Sequence, residues 1–159
     1  MKRINTVVVM ACICAISVIG MVIALASSST TTKQEFVLPP FDVGASSGIP
    51  NVTDFHSWSE LDADAFKVGI TGKIVIENSS ADIWLTNPEG NTVWLKLRIM
   101  DENGNILGET GLITPGQYIQ SVAIVQPLQA GTPVILKVMA YEPETYHSAG
   151  SITINTTLE

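Results

Sequence analysis

Apolar and polar residues alternate most clearly between Ala81 and Asp101, in the run ADIWLTNPEGNTVWLKLRIMD. Ile83 and Leu85 alternate with Asp82, Trp84 and Thr86, and Val93, Leu95, Leu97 and Ile99 alternate with Trp94, Lys96, Arg98 and Met100. A period of two puts one set of side chains on a buried face and the other toward solvent, so both runs predict half-buried β-strands. Asn87-Pro88-Glu89-Gly90-Asn91 between them is a run of turn formers, and the whole predicts one β-hairpin. With Asn87 opposite Asn91, Leu85 meets Val93 and Ile83 meets Leu95 on the apolar face. Trp84 then lies opposite Trp94, and Asp82 opposite Lys96, on the other. Aromatic and opposite-charge pairs across strands contribute roughly 0.2–1 kcal/mol each, and this register makes both.

The same pattern continues on either side. Phe66, Val68 and Ile70 alternate with Lys67, Gly69 and Thr71, and 74–78 predicts a further strand after the bend at Gly72-Lys73. Downstream, Asp101-Glu102-Asn103-Gly104-Asn105 carries Asn-Gly, the strongest short hairpin signal. Strands are then predicted from Ile106, over 118–126, over 134–141 and over 151–158, separated by turns at Thr114-Pro115-Gly116, Ala130-Gly131 and 143–150. About seven to nine short strands with a turn every 8–12 residues are the signature of an all-β, antiparallel β-sandwich. No helical period lies between strands, which excludes a βαβ design.

Composition changes the picture mainly at the N-terminus. After Met1-Lys2-Arg3, no charged residue occurs from Ile4 to Ala26, and Ala24-Leu25-Ala26 fits a small-x-small cleavage pattern. Residues 1–26 are therefore expected to form a secretory signal or, at about 20 apolar residues, an uncleaved membrane anchor. Either puts the rest of the chain outside the cytoplasmic membrane, secreted or at the cell surface. Cys12 comes too early for a lipoprotein, and Gly20-Met21-Val22 lacks the glutamate of a type IV pilin. Residues 27–65 are expected to be a spacer and irregular segment, with SSSTTT at 27–32 and Pro39-Pro40 opposing a regular ladder. Residues 66–159 are expected to hold the sandwich. The only cysteines, Cys12 and Cys14, lie in the apolar run, so the exported part holds neither disulfide nor cysteine metal site. The formal net charge of −7 argues against nucleic acid as a partner.

Candidate chemistry is sparse. Phe36, Val37, Leu38 and Phe41 either pad an edge of the domain or dock on a partner by strand addition. The stretch from Asp54 to Asp64 admits a short helical turn, and Asp54, Glu60, Asp62 and Asp64 invite a calcium reading that a solvated loop explains as well. His56 beside Ser57 has no glycine elbow or oxyanion motif around it. Counted from Asp101, an EF-hand would need glycine at position six and glutamate at twelve, where Gly104 and Leu112 break the pattern. Asn51, Asn78 and Asn155 lie in Asn-x-Ser/Thr tripeptides, expected to be unmodified. The residues assigned to a binding surface are Trp84, Trp94, Lys96 and Arg98, because aromatic and cationic side chains anchor interfaces efficiently. The competing reading buries the two tryptophans against each other, beneath a second sheet or the N-terminal segment.

Thr114-Pro115-Gly116 and Pro127-Leu128-Gln129-Ala130-Gly131, each set between apolar strands, resemble turns of bacterial extracellular Ig-like domains, including adhesion-related sandwiches and the BsuPI-type proteinase-inhibitor fold. The resemblance covers 66–159 and implies an Ig-like β-sandwich rather than an activity. The expected protein is a noncatalytic, exported cell-surface module with a binding or assembly role and no cofactor. Its partner would be a protein or a cell-envelope component, with membrane contact only through the N-terminal segment. An inhibitor or accessory binder of a secreted protease is the alternative, and a calcium-dependent module or small enzyme the remote one.

Overall fold

The computed structural model describes residues 37–53 and 57–159. The expected signal or anchor, Phe36, Asp54 and His56 all lie outside the described residues, among which no helix is long and apolar enough to cross a membrane. One compact unit runs from Leu38 to Glu159. Its described residues hold ten strands: β1 (Ser46–Ser47), β2 (Trp58–Ala63), β3 (Phe66–Thr71), β4 (Val75–Glu77), β5 (Ser80–Asn87), β6 (Trp94–Met100), β7 (Ile106–Glu109), β8 (Gln117–Ala123), β9 (Pro133–Tyr141) and β10 (Ser148–Thr157). They form two antiparallel sheets. The first has the order β1-β8-β5-β3-β2 with β4 also on β5, and the second β10-β9-β6-β7.

The alternation in sequence becomes the two inner faces of this sandwich. Val68 and Ile70 of β3, with Ala81, Ile83 and Leu85 of β5, meet Leu95, Leu97 and Ile99 of β6 and Val134, Leu136 and Val138 of β9 in a single core. Ile83, Leu85, Leu95 and Leu97 are fully buried. At roughly 1.5–3 kcal/mol for each such side chain, burial of this kind is the main force holding a domain without disulfides.

The predicted hairpin does not form. β5 pairs with β3, β4 and β8, β6 pairs with β7 and β9, and the chain between them is an arch that carries it from one sheet to the other. Trp84 is not opposite Trp94, nor Asp82 opposite Lys96: Trp94 pairs with Tyr141, Lys96 with Met139, and Asp82 with Val75 and Ser121. The apolar residues assigned to one face are buried as expected, but they meet face to face across the core instead of side by side. Asn87 holds the arch. It is fully buried, its Nδ2 donates to Val93 O (2.9 Å) and Ile113 O (3.0 Å), and its Oδ1 accepts from Asn91 Nδ2 (2.6 Å).

Other turns fall where turn chemistry puts them. Asp101 Oδ1 accepts from the amides of Asn103 and Asn105, and Gly104 takes φ +83°, closing the β6–β7 hairpin. Asn105 Nδ2 also donates to Asp101 Oδ2 at 2.7 Å, and this bond foremost, with those from the amides, lowers the Asp101 carboxyl below its ordinary pKa. Strands also arise where irregularity or a helical turn was expected, as β1 and β2. β2 forms because β3 offers it a full ladder, from Trp58 opposite Thr71 to Ala63 opposite Phe66. The Trp58 ring lies over Gly69, where a Cβ would collide with Cζ2.

Candidate functional site

The four residues assigned to binding divide between the two outer faces of the sandwich. Trp84 belongs to the first sheet, where β5 and β8 shift register between Asp82 and Leu85. It sits at φ 46°, a left-handed conformation that few bulky residues adopt. Trp58 Nε1 and Thr86 Oγ1 donate to its carbonyl at 3.1 and 3.2 Å, and its ring stacks on Tyr118 at 6.2 Å. Trp94, Lys96 and Arg98 lie together on the outer face of the second sheet. There the edges of Phe41 and Tyr146 flank Trp94, with ring centroids at 4.8 and 5.2 Å. Phe41 reaches that position because Asp42 N donates to Leu112 O (2.9 Å) and Leu112 N to Pro40 O (2.8 Å), so Phe41 packs on its own domain, whereas Val37 and Leu38 are exposed.

Register assembles the rest of this face. Directly opposite side chains of neighbouring strands share a side of the sheet. Arg98 is opposite Lys137 on one flank and Glu109 on the other; Lys96 is opposite Met139, Trp94 opposite Tyr141, and Met100 opposite Ile135 and Ile106. On β10 the solvent-facing positions are Ser151, Thr153 and Asn155. The face is thus a row of cations, Lys96, Arg98 and Lys137, with aromatic rings at one end and exposed or half-exposed apolar side chains at the other. The described residues contain five lysines and arginines, Lys67, Lys73, Lys96, Arg98 and Lys137, and three of them are here.

One carboxylate serves this row. Glu109 accepts from Lys96 Nζ at 3.0 Å and from Arg98 Nε at 2.9 Å. Partial burial acts to raise its pKa, but the hydrogen bonds and charges of Arg98 and Lys96 outweigh burial and hold it below the ordinary glutamate value. Lys96 is itself buried, at 5% exposure, while the Arg98 side chain keeps 37%. Lys137 has no carboxylate within ion-pairing distance among the described residues. Arg98 and Lys137 are therefore like charges directly opposite each other, a destabilising arrangement in a sheet that Glu109 moderates from the Arg98 side. Sequence reasoning missed Lys137 because its partner Arg98 is 39 residues away; alternation in VILKVMAY marks it as outward but does not name its neighbours.

The first sheet carries a different concavity, a groove of about 470 Å³ whose lining includes Ile49, Trp58, Glu60, Thr86, Glu89 and Pro115. Three of its polar side chains are already engaged: Trp58 with the Trp84 carbonyl, Thr86 with the same carbonyl, and Glu60 with Lys67 at 3.5 Å. Lys67 also pairs with Asp62 at 3.4 Å, and these carboxylates, Asp62 foremost, raise its pKa. The ammonium thus already pairs with Glu60 and Asp62, two of the four carboxylates of the calcium reading. Among the described residues no group of three or more His, Cys, Asp or Glu side chains is placed to hold a metal ion.

No protein-family model matches the chain, and no curated protein is similar to it. The all-β, two-sheet architecture is compatible with an Ig-like domain, and function has to be argued from the surface itself.

Proposed function

We propose that this chain is an exported, noncatalytic binding module of the cell surface that holds an acidic protein partner on the outer face of its second sheet. The observation that carries the reading is the pairing of Arg98 with Lys137 on the face that also carries Trp94. In a protein of net charge −7, three of the five described cations stand on one face and two of them face each other. A carboxylate brought by a partner would relieve that repulsion. Arg98 offers a planar fork suited to bidentate carboxylate binding, and arginine and tryptophan are the side chains most often dominant in protein interfaces. The acidic remainder of the surface would repel such a partner and so orient its approach.

Photo-crosslinking in the producing cells tests this. A photoreactive side chain at Met139, which shares the face with Lys96, is expected to yield one discrete adduct. Arg98→Glu with Lys137→Glu should abolish that adduct while the secreted protein stays folded. The same probe at Gln120, on the first sheet, should give none. An adduct that survives the double charge reversal would refute the assignment.

A further inference from the structure

The groove on the first sheet differs in chemistry from the cationic row on the second. At about 470 Å³ it falls within the roughly 300–1,000 Å³ usual for ligand sites. β2 brings Trp58 and Glu60 to it, the arch after β5 brings Pro88 and Glu89, and the turn before β8 brings Pro115. Trp58 is fixed there from two sides. The missing side chain at Gly69 lets its ring lie across β3, and its Nε1 donates to Trp84 O at 3.1 Å. The indole nitrogen is thus spent, and what the ring adds to the groove is π-surface. Ile49 stands at the mouth. It is a large apolar residue left 85% exposed, next to the bond from Gly48 N to Gly116 O at 2.8 Å that ties its loop down.

The lining has no side-chain donor to spare. Trp58, Thr86 and Asn87 alone among its residues carry side-chain N–H or O–H groups. Trp58 Nε1 and Thr86 Oγ1 both donate to Trp84 O, and Asn87 Nδ2 spends its two hydrogens on Val93 O and Ile113 O. The amides of Gly48 and Gly116 donate to Gly116 O and Asn87 O, and Pro88 and Pro115 have no N–H. The side-chain functions left over are acceptors, the carboxylates of Glu60 and Glu89. Glu60 shares the Lys67 ammonium with Asp62, so one cation serves two anions there. Glu89 has no ion pair and no side-chain hydrogen bond among the described residues. No lysine or arginine lines the groove. An anion needs donors, and a sugar hydroxyl needs donors and acceptors together. A ligand that only donates and carries positive charge matches what remains.

We propose that this groove binds an arginine side chain of a basic peptide segment in a protein partner. The guanidinium has five N–H donors in one plane, no acceptor and a permanent charge. It lies against the Trp58 ring with its N–H groups toward Glu89 and Glu60, so cation–π attraction and charge-assisted hydrogen bonds act on the same group. Its aliphatic stem covers Ile49, Pro88 and Pro115. Lysine has the charge without the plane and makes the weaker ligand. At longer range, Glu60, Asp62 and Asp82 draw a cationic segment to this sheet, while the cations of the second sheet repel it. The groove shares no residue with the cationic row, so this assignment does not rest on that one.

Titration of the full chain in mild detergent with blocked tetra-arginine and tetra-lysine peptides tests it, read by calorimetry and by the indole N–H resonance of Trp58. Tetra-arginine is expected to shift that resonance and to bind more tightly than tetra-lysine. Glu89→Gln, which removes no ion pair or hydrogen bond of the free protein, should weaken binding about fivefold, as for a partly exposed ion pair. Asp82→Asn removes the same charge from the same sheet outside the groove and should leave the affinity unchanged. Absence of binding, or a Trp58 resonance that does not move, would overturn the proposal. So would equal losses from Asp82→Asn and Glu89→Gln, since the attraction would then be to the acidic face at large. Equal affinity for the two peptides would overturn the choice of arginine. Gln120 lies four residues on from Gly116, about 13 Å along β8, so an arginine seated in the groove does not reach the crosslinking control. The titration reads the groove and the crosslinking at Met139 the other face, so the two proposals fail separately.

Discussion

Arg98 and Lys137 decide how the second sheet is read. Glu109 compensates Arg98 and Lys96 but leaves Lys137 facing a like charge. If the pair is kept for a partner, reversing one member should separate stability from binding. Lys137→Glu places a carboxylate opposite Arg98 and is expected to leave the melting temperature unchanged or raise it, by the equivalent of about 0.2–1 kcal/mol. Thermal unfolding of the variant checks this; a clear fall would show that Lys137 is structural. At the same scale, sequence marked Trp94, Lys96 and Arg98 as one face of β6, and they share it, although Lys96 is buried there rather than solvated. Lys137 escaped because strand neighbours distant in sequence leave no local signal.

At the scale of elements, the arch between β5 and β6 shows what alternation can and cannot say. A hairpin and an arch bury the same residues, Ile83, Leu85, Leu95 and Leu97, so their periodicity fits either. Turn formers do not distinguish them: Asn91 N donates to Pro88 O at 3.0 Å in a tight turn that here joins two sheets. The distinguishing residue is Asn87. It resembles one more turn former in sequence, yet it is a fully buried strut bonded to carbonyls at Val93 and Ile113. Asn87→Ala strands the Val93 carbonyl, at about 1–3 kcal/mol for a buried group left unsatisfied, while Ile113 O keeps the bond from Leu95 N at 3.0 Å. Urea unfolding should show that loss, whereas a hairpin turn with a solvated Asn87 would show a few tenths. Where chemistry is local, as at Asp101 and Gly104, strand and turn were both legible. At β2 they were not, because Trp58–Ala63 becomes a strand through its ladder to β3.

At the scale of the molecule, a disulfide-free sandwich divides its charge unequally between its faces. Acidic groups such as Glu60, Asp62 and Asp82 lie on the first sheet, while the second presents its cations around Arg98. This asymmetry is what sets the surface apart from a merely soluble one. The most direct test is residue-resolved NMR shift mapping with poly-glutamate as the acidic probe, repeated at rising salt. The perturbed positions are expected at Trp94, Arg98, Lys137 and Met139, fading as salt screens the charges and absent in Lys137→Glu. Shifts confined to the groove around Trp58, or no shifts on β6 and β9 at low salt, would contradict the account.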